Sequence, residues 1–329
     1  MLILTAENVR KALPMRETIE AMKRAYAALS DGHAEVPLRT RLPIPSHEAL
    51  TLLMPAFVES PEGEALAVKI VSLFPQNPQK GLAYIQAAVL VLDPESGRAL
   101  AVLEGSSLTA IRTGAAGGAA IDLLARKESR IVAIFGAGVQ GRTQLEAACS
   151  VRQIETAWVY DSNAKQAVAF AQELSGKFPI PGDLRVAANS RQAVSSADIV
   201  CTATTSLTPV FSDSDLKPGV HITAVGSYTP DMQETPAETV KRARVVVDSR
   251  SAALAESGDL IQPLRAGVFG EDHIHADLGE IILGKKVGRQ SADEITYFKS
   301  VGIAVQDAMA AQLAVDNARK MGLGFEVQF

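Results

Sequence analysis

The stretch Arg130–Gly141 reads RIVAIFGAGVQG, an apolar run followed by glycines at 136, 138 and 141. G-x-G-x-x-G spacing means little unless it closes a strand and opens a helix. The β-branched and aromatic residues before it and the polar–apolar mixture after it supply that setting. Gly136 then permits a tight turn, Gly138 lets a pyrophosphate approach the backbone, and Gly141 lets helix and strand pack closely. The helix start offers unpaired N–H groups and partial positive charge to phosphates. Asp161 ends the next apolar run, TAWVYD, where a carboxylate can accept both ribose hydroxyls and repel a 2′-phosphate. That favours NAD over NADP, although Ser162 and Asn163, with Lys165, could still seat a phosphate. The structural alternative is a bare turn, with Asp161 capping the following helix.

Two cations stand in apolar surroundings, Lys69 in ALAVKIVSLF and Arg112 in SLTAIRTGAAGGAA. A desolvated cation is costly unless paired, so each implies a nearby carboxylate or an anionic ligand. Arg39 and Arg41, in VPLRTRLPIP, are further candidates, or else solvated strand residues. Two arginines and a lysine converging would suit a small carboxylate, which arginine binds bidentately. Burial would lower the pKa of Lys69 and a bound carboxylate would raise it. Small residues after two later apolar runs, Thr202–Ala203–Thr204–Thr205 and Val225–Gly226–Ser227, would let a nicotinamide or ribose reach the backbone; such clusters are also ordinary loop composition. His273 and His275 would share one side of a strand without metal-ligand company. No nucleophile elbow or Cys/His pair is present, which leaves nucleophilic hydrolysis without support.

These residues need elements to hold them. Residues 16–30 carry Ile19, Met22, Tyr26 and Leu29 at helical spacing. Apolar runs follow at 52–54, 66–73, 84–92 and 99–103, with the turn Asp93–Gly97 making a hairpin of the last two. This predicts a helix and a mostly antiparallel sheet. From residue 129 the pattern alternates: strands over 130–135, 156–160, 184–187, 199–203, 221–225 and 245–247, with helices over about 139–150 and 164–174. That alternation predicts an α/β fold with a doubly wound parallel sheet. A long helix is predicted after Gly302, with Gly322 as its C-cap.

The chain of 329 residues has 47% hydrophobic and 21% charged residues, ordinary globular usage. A net charge of −5 gives no footprint for a phosphate backbone, so nucleic acid is not an expected partner. Cys149 and Cys201, the only cysteines, lie among small or apolar residues and suit buried thiols in a reducing compartment. The start MLILTAENVRKALP lacks the cationic prefix of a secretory signal, and no run of about 18 apolar residues could span a bilayer. A cytoplasmic location, with no membrane partner, is expected.

TAIRTGAAGG, FGAGVQG, AVGSYTPDMQE and EITYFKSVGIAVQDAMAA, in that order over nearly the whole chain, resemble the ornithine cyclodeaminase/mu-crystallin family. The resemblance implies a homodimer. A substrate-binding and dimerisation domain would span 1–113, completed by a C-terminal helix over 304–329, with a Rossmann dinucleotide-binding domain over 114–303. It also implies that Lys69 and Arg112, together with Arg39, hold a substrate carboxylate, with Lys69 and Arg112 as the catalytic pair, and that Gln86 of YIQAAVLV lines the same pocket. Ser300, Val301 and Gly302 would close over the nicotinamide. Thr113, Ala137, Val139 and Gln140, inside the matched motifs, join the expected cofactor contacts.

One departure bears on subtype. Cyclodeaminases of this family carry an aspartate two residues after the glycine matched by Gly226; here Tyr228 stands there, and Asp231 matches a different place. With a pKa of about 10, a tyrosine is a poor base at neutral pH. The GSYTPDMQE form is more similar to members that reduce cyclic ketimines. The expected reaction is NADH- or NADPH-dependent reduction of Δ1-pyrroline-2-carboxylate or Δ1-piperideine-2-carboxylate to L-proline or L-pipecolate. The alternatives are ornithine cyclodeamination with catalytic NAD, an alanine- or opine-type dehydrogenase, and a mu-crystallin-like ligand-binding protein.

Overall fold

The structure, a computed structural model, describes residues 1–328. The chain forms two compact units: residues 1–112 with the chain from Ile303 onward, and residues 113–302. Residue 329, the last of the C-terminal segment expected at 304–329, lies outside the described residues.

The first unit opens with β1 (Leu2–Leu4), α1 (Ala6–Ala12) and α2 (Met15–Asp31). In α2, Ile19, Met22, Ala25 and Tyr26 form the buried stripe, and Gly32 ends the helix in the left-handed region at φ 81°. Then follow β2 (Ala34–Glu35), β3 (Thr40–Ile44), β4 (Ala49–Ser60), β5 (Gly63–Leu73), β6 (Ile85–Leu92) and β7 (Ala99–Glu104). The β6–β7 turn is held by Asp93, which accepts the Ser96 hydroxyl at 2.7 Å. The next helix, α3 (Gly105–Leu124), starts in this unit and ends in the second.

The second unit contains β8 (Ile131–Phe135), α4 (Val139–Val151), β9 (Thr156–Tyr160), α5 (Ala164–Leu174), β10 (Leu184–Val186), α6 (Ser190–Val194) and β11 (Ile199–Thr202). It continues with β12 (His221–Ala224), α7 (Ala237–Arg242), β13 (Arg244–Val247), α8 (Arg250–Glu256), α9 (Gly258–Arg265), β14 (Ile274–Asp277), α10 (Leu278–Ile282) and β15 (Thr296–Lys299). The eight strands run in the order β10-β9-β8-β11-β12-β15-β13-β14, and every pairing is parallel. Strand order therefore reverses at β8, the switch point at which open α/β sheets bind ligands. Alternate residues of β8 feed two cores: Val132 and Ile134 join Leu145, Val159 and Phe170, while Ala133 and Phe135 join Val200, Ile222 and Tyr297. Both cysteines are buried thiols, and burial pushes Cys149 up to about 12.

Gly114 and Gly117 of the TGAAGG stretch serve packing. A Cβ on Gly114 would lie 2.6 Å from the Thr143 carbonyl oxygen, and one on Gly117 would lie 2.1 Å from Gln144 Oε1. The Thr143 backbone beside Gly114 lets only a glycine bring α3 this close to α4, whereas at Gly117 the Gln144 side chain could shift; Gln144 Nε2 donates across the seam to the Thr113 carbonyl at 3.0 Å.

Finally α11 (Ala304–Met321) and β16 (Phe325–Glu326) return to the first unit. Gly322 caps α11 at φ 65°. The first sheet has the order β16-β1-β7-β6-β5-β4-β2, with β3 also on β4, and is antiparallel except for β1 with β7. On β4 and β5 the buried face carries Leu52, Met54, Ala56, Val58, Ala65, Ala67 and Lys69. No helix among the described residues is long and apolar enough to cross a membrane.

β15 escapes the sequence reading because its four residues, TYFK, set two aromatic side chains between polar ones and form no long apolar run. The two histidines do not share a strand face. His273 lies in a turn before β14, its Nε2 2.8 Å from the Val240 carbonyl, whereas His275 lies on β14. Among the described residues no group of three His, Cys, Asp or Glu is arranged to hold a metal ion.

Candidate functional site

In the second unit, β8 delivers the chain to Gly136, whose φ of 99° is left-handed and whose Cβ, if present, would lie 2.6 Å from the Ala203 carbonyl oxygen. A Cβ on Gly141 would stand 2.0 Å from the Gly136 carbonyl oxygen, so that glycine fixes the strand–helix approach. Gly138 differs: nothing lies within 4 Å of its missing Cβ. That open space over a helix start is what a diphosphate needs. The α4 ladder begins with Arg142 N–H to the Gly138 carbonyl, so the amides of Val139 and Gln140 precede it.

Asp161 braces this loop. Its Oδ2 accepts the Ala137 N–H at 2.8 Å, and its Oδ1 accepts the Asn163 N–H at 2.8 Å. Each carboxylate oxygen has a second lone pair, so ribose hydroxyls remain compatible with this bracing. The cap of α5 is Asn163, whose side chain accepts the Lys165 N–H, not Asp161. Ser162 and Lys165 are exposed.

The loops after β11 and β12 meet on one buried carboxylate, Glu234, which the sequence reading missed. Its Oε1 accepts Thr204 N–H at 2.6 Å and Thr204 Oγ1–H at 2.8 Å. Its Oε2 accepts Gly226 N–H at 2.7 Å, Ser227 N–H at 3.0 Å and Thr202 Oγ1–H at 3.0 Å. Burial pushes this carboxyl up, while Lys299 and the Thr204 donors pull it back down. Asp259 in turn accepts the Glu234 N–H at 2.7 Å and lies 3.2 Å from Lys299 Nζ, both side chains being fully buried. A third buried carboxylate, Asp248, takes Ser300 Oγ–H at 2.8 Å and the N–H groups of Val301 and Gly302 at 2.9 and 2.8 Å. Among the expected contacts, Ala203, Thr204, Thr205, Val225 and Val301 reach the surface. Gly226, Ser227, Ser300 and Gly302 are buried, and their amides are all bonded internally.

In the first unit Lys69 and Arg112 do come together, on a carboxylate that the sequence reading did not name. Lys69 Nζ is 2.6 Å from Asp307 Oδ2, and Arg112 Nε donates to Asp307 Oδ1 at 3.0 Å. Arg112 Nη1 donates to Gln306 Oε1 at 2.7 Å, and Gln306 Nε2 donates to the Tyr26 hydroxyl. The criterion that marks Lys69, a charge in an apolar run, also marks Asp307 in AVQDAMAAQLAV. Lys69 is 3% exposed and Asp307 1%, so two cations share one buried anion and a positive charge is left over. Desolvation wins for Lys69: burial lowers its pKa to about 8 against the pull of Asp307, helped by Arg112 and Arg39. Arg39 directly precedes β3. Extending the β3–β4 register sets it opposite Met54, the β4 partner of Lys69, on the same sheet face.

Gln86 is a correction. It pairs with Ser72 while Lys69 pairs with Val89, offsets of three on both strands. With a side-chain period of two, Gln86 therefore projects from the face opposite Lys69 and does not join its site. Its Nε2 donates to the Ala83 carbonyl at 3.1 Å instead.

A doubly wound parallel sheet with a glycine phosphate loop at its switch point defines a Rossmann-type dinucleotide-binding α/β protein. Residues 1–322 match the ornithine cyclodeaminase/mu-crystallin family, and the chain belongs to that family. It is 43% identical over 330 residues to a Delta(1)-pyrroline-2-carboxylate reductase of Bacillus cereus, with 100% of both chains covered. It is 46% identical, with a TM-score of 0.93, to the Thermococcus litoralis Delta(1)-pyrroline-2-carboxylate reductase solved with NADH and L-proline; 99% of this chain and 100% of that one are covered. An archaeal alanine dehydrogenase dimer with bound NAD is 34% identical, with a TM-score of 0.91, covering 100% of this chain and 99% of that one.

Proposed function

We propose that the protein is an NADH-dependent ketimine reductase that converts Δ1-pyrroline-2-carboxylate to L-proline. The observation that carries this reading is the surplus positive charge of Lys69 and Arg112 over Asp307, in a chain that also has an open diphosphate cradle at Gly138. Similarity to the two reductases supports the choice of substrate.

In this reading the N–H groups at the start of α4 hold the diphosphate, and Asp161 receives the adenosine ribose. The loops at Ala203–Thr205, Val225–Ser227 and Ser300–Gly302 surround the nicotinamide. Arg112 and Arg39 bind the substrate carboxylate and so fix which ring face is presented; such positioning supplies much of a rate enhancement. Bound NADH supplies the hydride that adds to the C=N carbon. Lys69 donates the proton that the nitrogen takes up, so C=N becomes CH–NH with one hydride and one proton consumed. An ammonium with a pKa of about 8 is well matched to donate near neutral pH. Tyr228, where cyclodeaminases hold an aspartate, argues against ornithine cyclodeamination.

A homodimer belongs to the same proposal. The sheet face opposite Lys69 is open and apolar, with Leu42 55% and Ile70 42% exposed and Leu53, Val68 and Leu90 half-buried. A second copy of the chain is the partner this face suits, and the archaeal relative is a dimer.

The test is NADH oxidation followed at 340 nm. Turnover with Δ1-pyrroline-2-carboxylate, and none with pyruvate plus ammonia, is the expected result. Proline formation from ornithine without net cofactor consumption would replace this reading with cyclodeamination. The same assay with Δ1-piperideine-2-carboxylate reads ring-size preference.

A further inference from the structure

We propose that Glu234 is a positioning residue for the nicotinamide end of the bound dinucleotide. The inference rests on the chain binding NADH as proposed above and assigns a task to a residue which that reading leaves unused.

Strand order sets the path of the dinucleotide. β9, which leads into Asp161, lies on one side of β8, and β11 and β12 lie on the other. A dinucleotide with its diphosphate over Gly138 and its adenosine ribose at Asp161 has to extend its other half over the ends of β11 and β12. The two loops there are not independent. Both hang on the Glu234 carboxylate, which takes two hydrogen bonds from the β11 loop on Oε1, and two from the β12 loop plus the Thr202 hydroxyl on Oε2. A Cβ at Gly226 would sit 2.2 Å from the Thr204 carbonyl oxygen and 2.5 Å from Glu234 Oε1, so loops and carboxylate are in direct contact.

All five partners of Glu234 are donors. A glutamine would turn one oxygen into an NH2 group facing backbone N–H donors in either amide orientation, that of Thr204 in one and those of Gly226 and Ser227 in the other. The carboxylate is itself anchored, because the Glu234 and Thr235 N–H groups both donate to Asp259 Oδ1, at 2.7 and 3.0 Å. Asp259 Oδ2 lies 3.2 Å from Lys299 Nζ, on the residue that leads into Ser300–Gly302. One buried chain of contacts thus runs from the end of β15 through Asp259 to Glu234 and the two loops. Glu234 is fully buried, so it acts through the loops without touching the cofactor.

The test compares NADH with ADP-ribose, which keeps the diphosphate and adenosine but lacks the nicotinamide. In Glu234→Gln we expect the Kd for NADH to rise about tenfold and that for ADP-ribose to stay within about twofold, since tenfold corresponds to about 1.4 kcal/mol. Thr202→Val removes one of the five bonds with little change of shape and should shift NADH in the same direction by about threefold, a loss at the weak end for one hydrogen bond. If Glu234→Gln does not fold, Thr202→Val decides. Equal weakening of both ligands, or no change in either, overturns the assignment. If the unaltered protein fails to bind NADH at all, the dinucleotide reading itself falls, and this assignment with it.

Discussion

Lys69 shows how one side chain can be tuned by its surroundings. On the flanking strands its neighbours are Met54 and Val89, both apolar. The charged groups facing it are Asp307 from α11, Arg112 from α3 and Arg39 ahead of β3. Because its pKa lies near 8, kcat/KM for imine reduction should fall as pH rises through about 8, and the reverse oxidation of proline should rise over the same range. The sign follows from which direction needs the proton on nitrogen. Its effect on folding runs the other way. The folded lysine gives up its proton before the unfolded one does, so stability rises with pH between about 8 and the ordinary lysine range. Asp307→Asn removes the partner that holds the ammonium charged, and should move the basic limb of the kcat/KM profile to lower pH; an unmoved limb would separate Lys69 from that limb. Arg112→Ala should cost about 2–5 kcal/mol in transition-state binding, a drop in kcat/KM of about thirtyfold or more, as for one lost partner of a buried charge pair. The two cations were legible in the sequence because charge inside an apolar run is conspicuous. Glu234 and Asp259 were not: TPDMQETP is mostly polar and Asp259 follows Ser257–Gly258, so neither carboxylate interrupts an apolar run, and only the fold reveals that both are buried.

At the scale of elements, the glycines of the phosphate loop separate stability from binding. Gly138 has φ −85° and open space around its missing Cβ. Gly138→Ala should therefore leave the melting temperature within a degree or two while raising the Kd for NADH, because the methyl group occupies the diphosphate cradle. Gly141→Ala meets the Gly136 carbonyl oxygen and should lower stability, by about 1–3 kcal/mol on the scale of an overpacked core. Equal thermal shifts in the two variants would contradict this division. The parallel sheet was readable because its central strands IVAIF and IVCT are buried on both faces and show as nearly unbroken apolar runs. The face of an exposed residue was not. Gln86 sits in a recognisable strand, yet its orientation depends on a register that only the pairing with β5 defines.

For the whole molecule, the open face of the first sheet gives a direct measurement. Ile70→Glu places a charge in the middle of that face; for the homodimer proposed above, light scattering should report dimers for the parent chain and monomers for the variant. A variant that remains fully dimeric would put the subunit contact elsewhere. Ile70 lies on the face opposite Lys69, so the binding of NADH in the second unit should survive the change.

The return of α11 and β16 to the first unit also sets an order of events during synthesis. Residues 113–302 leave the ribosome as one uninterrupted stretch and can fold as soon as they are complete. The amino-terminal unit, though made first, must wait for the final segment to bring Asp307 against Lys69 and to lay Phe325 beside Ile3. A nascent chain halted before Ile303 should accordingly present a protease-resistant centre behind a digestible leading portion, with two buried-to-be cations still lacking their anion.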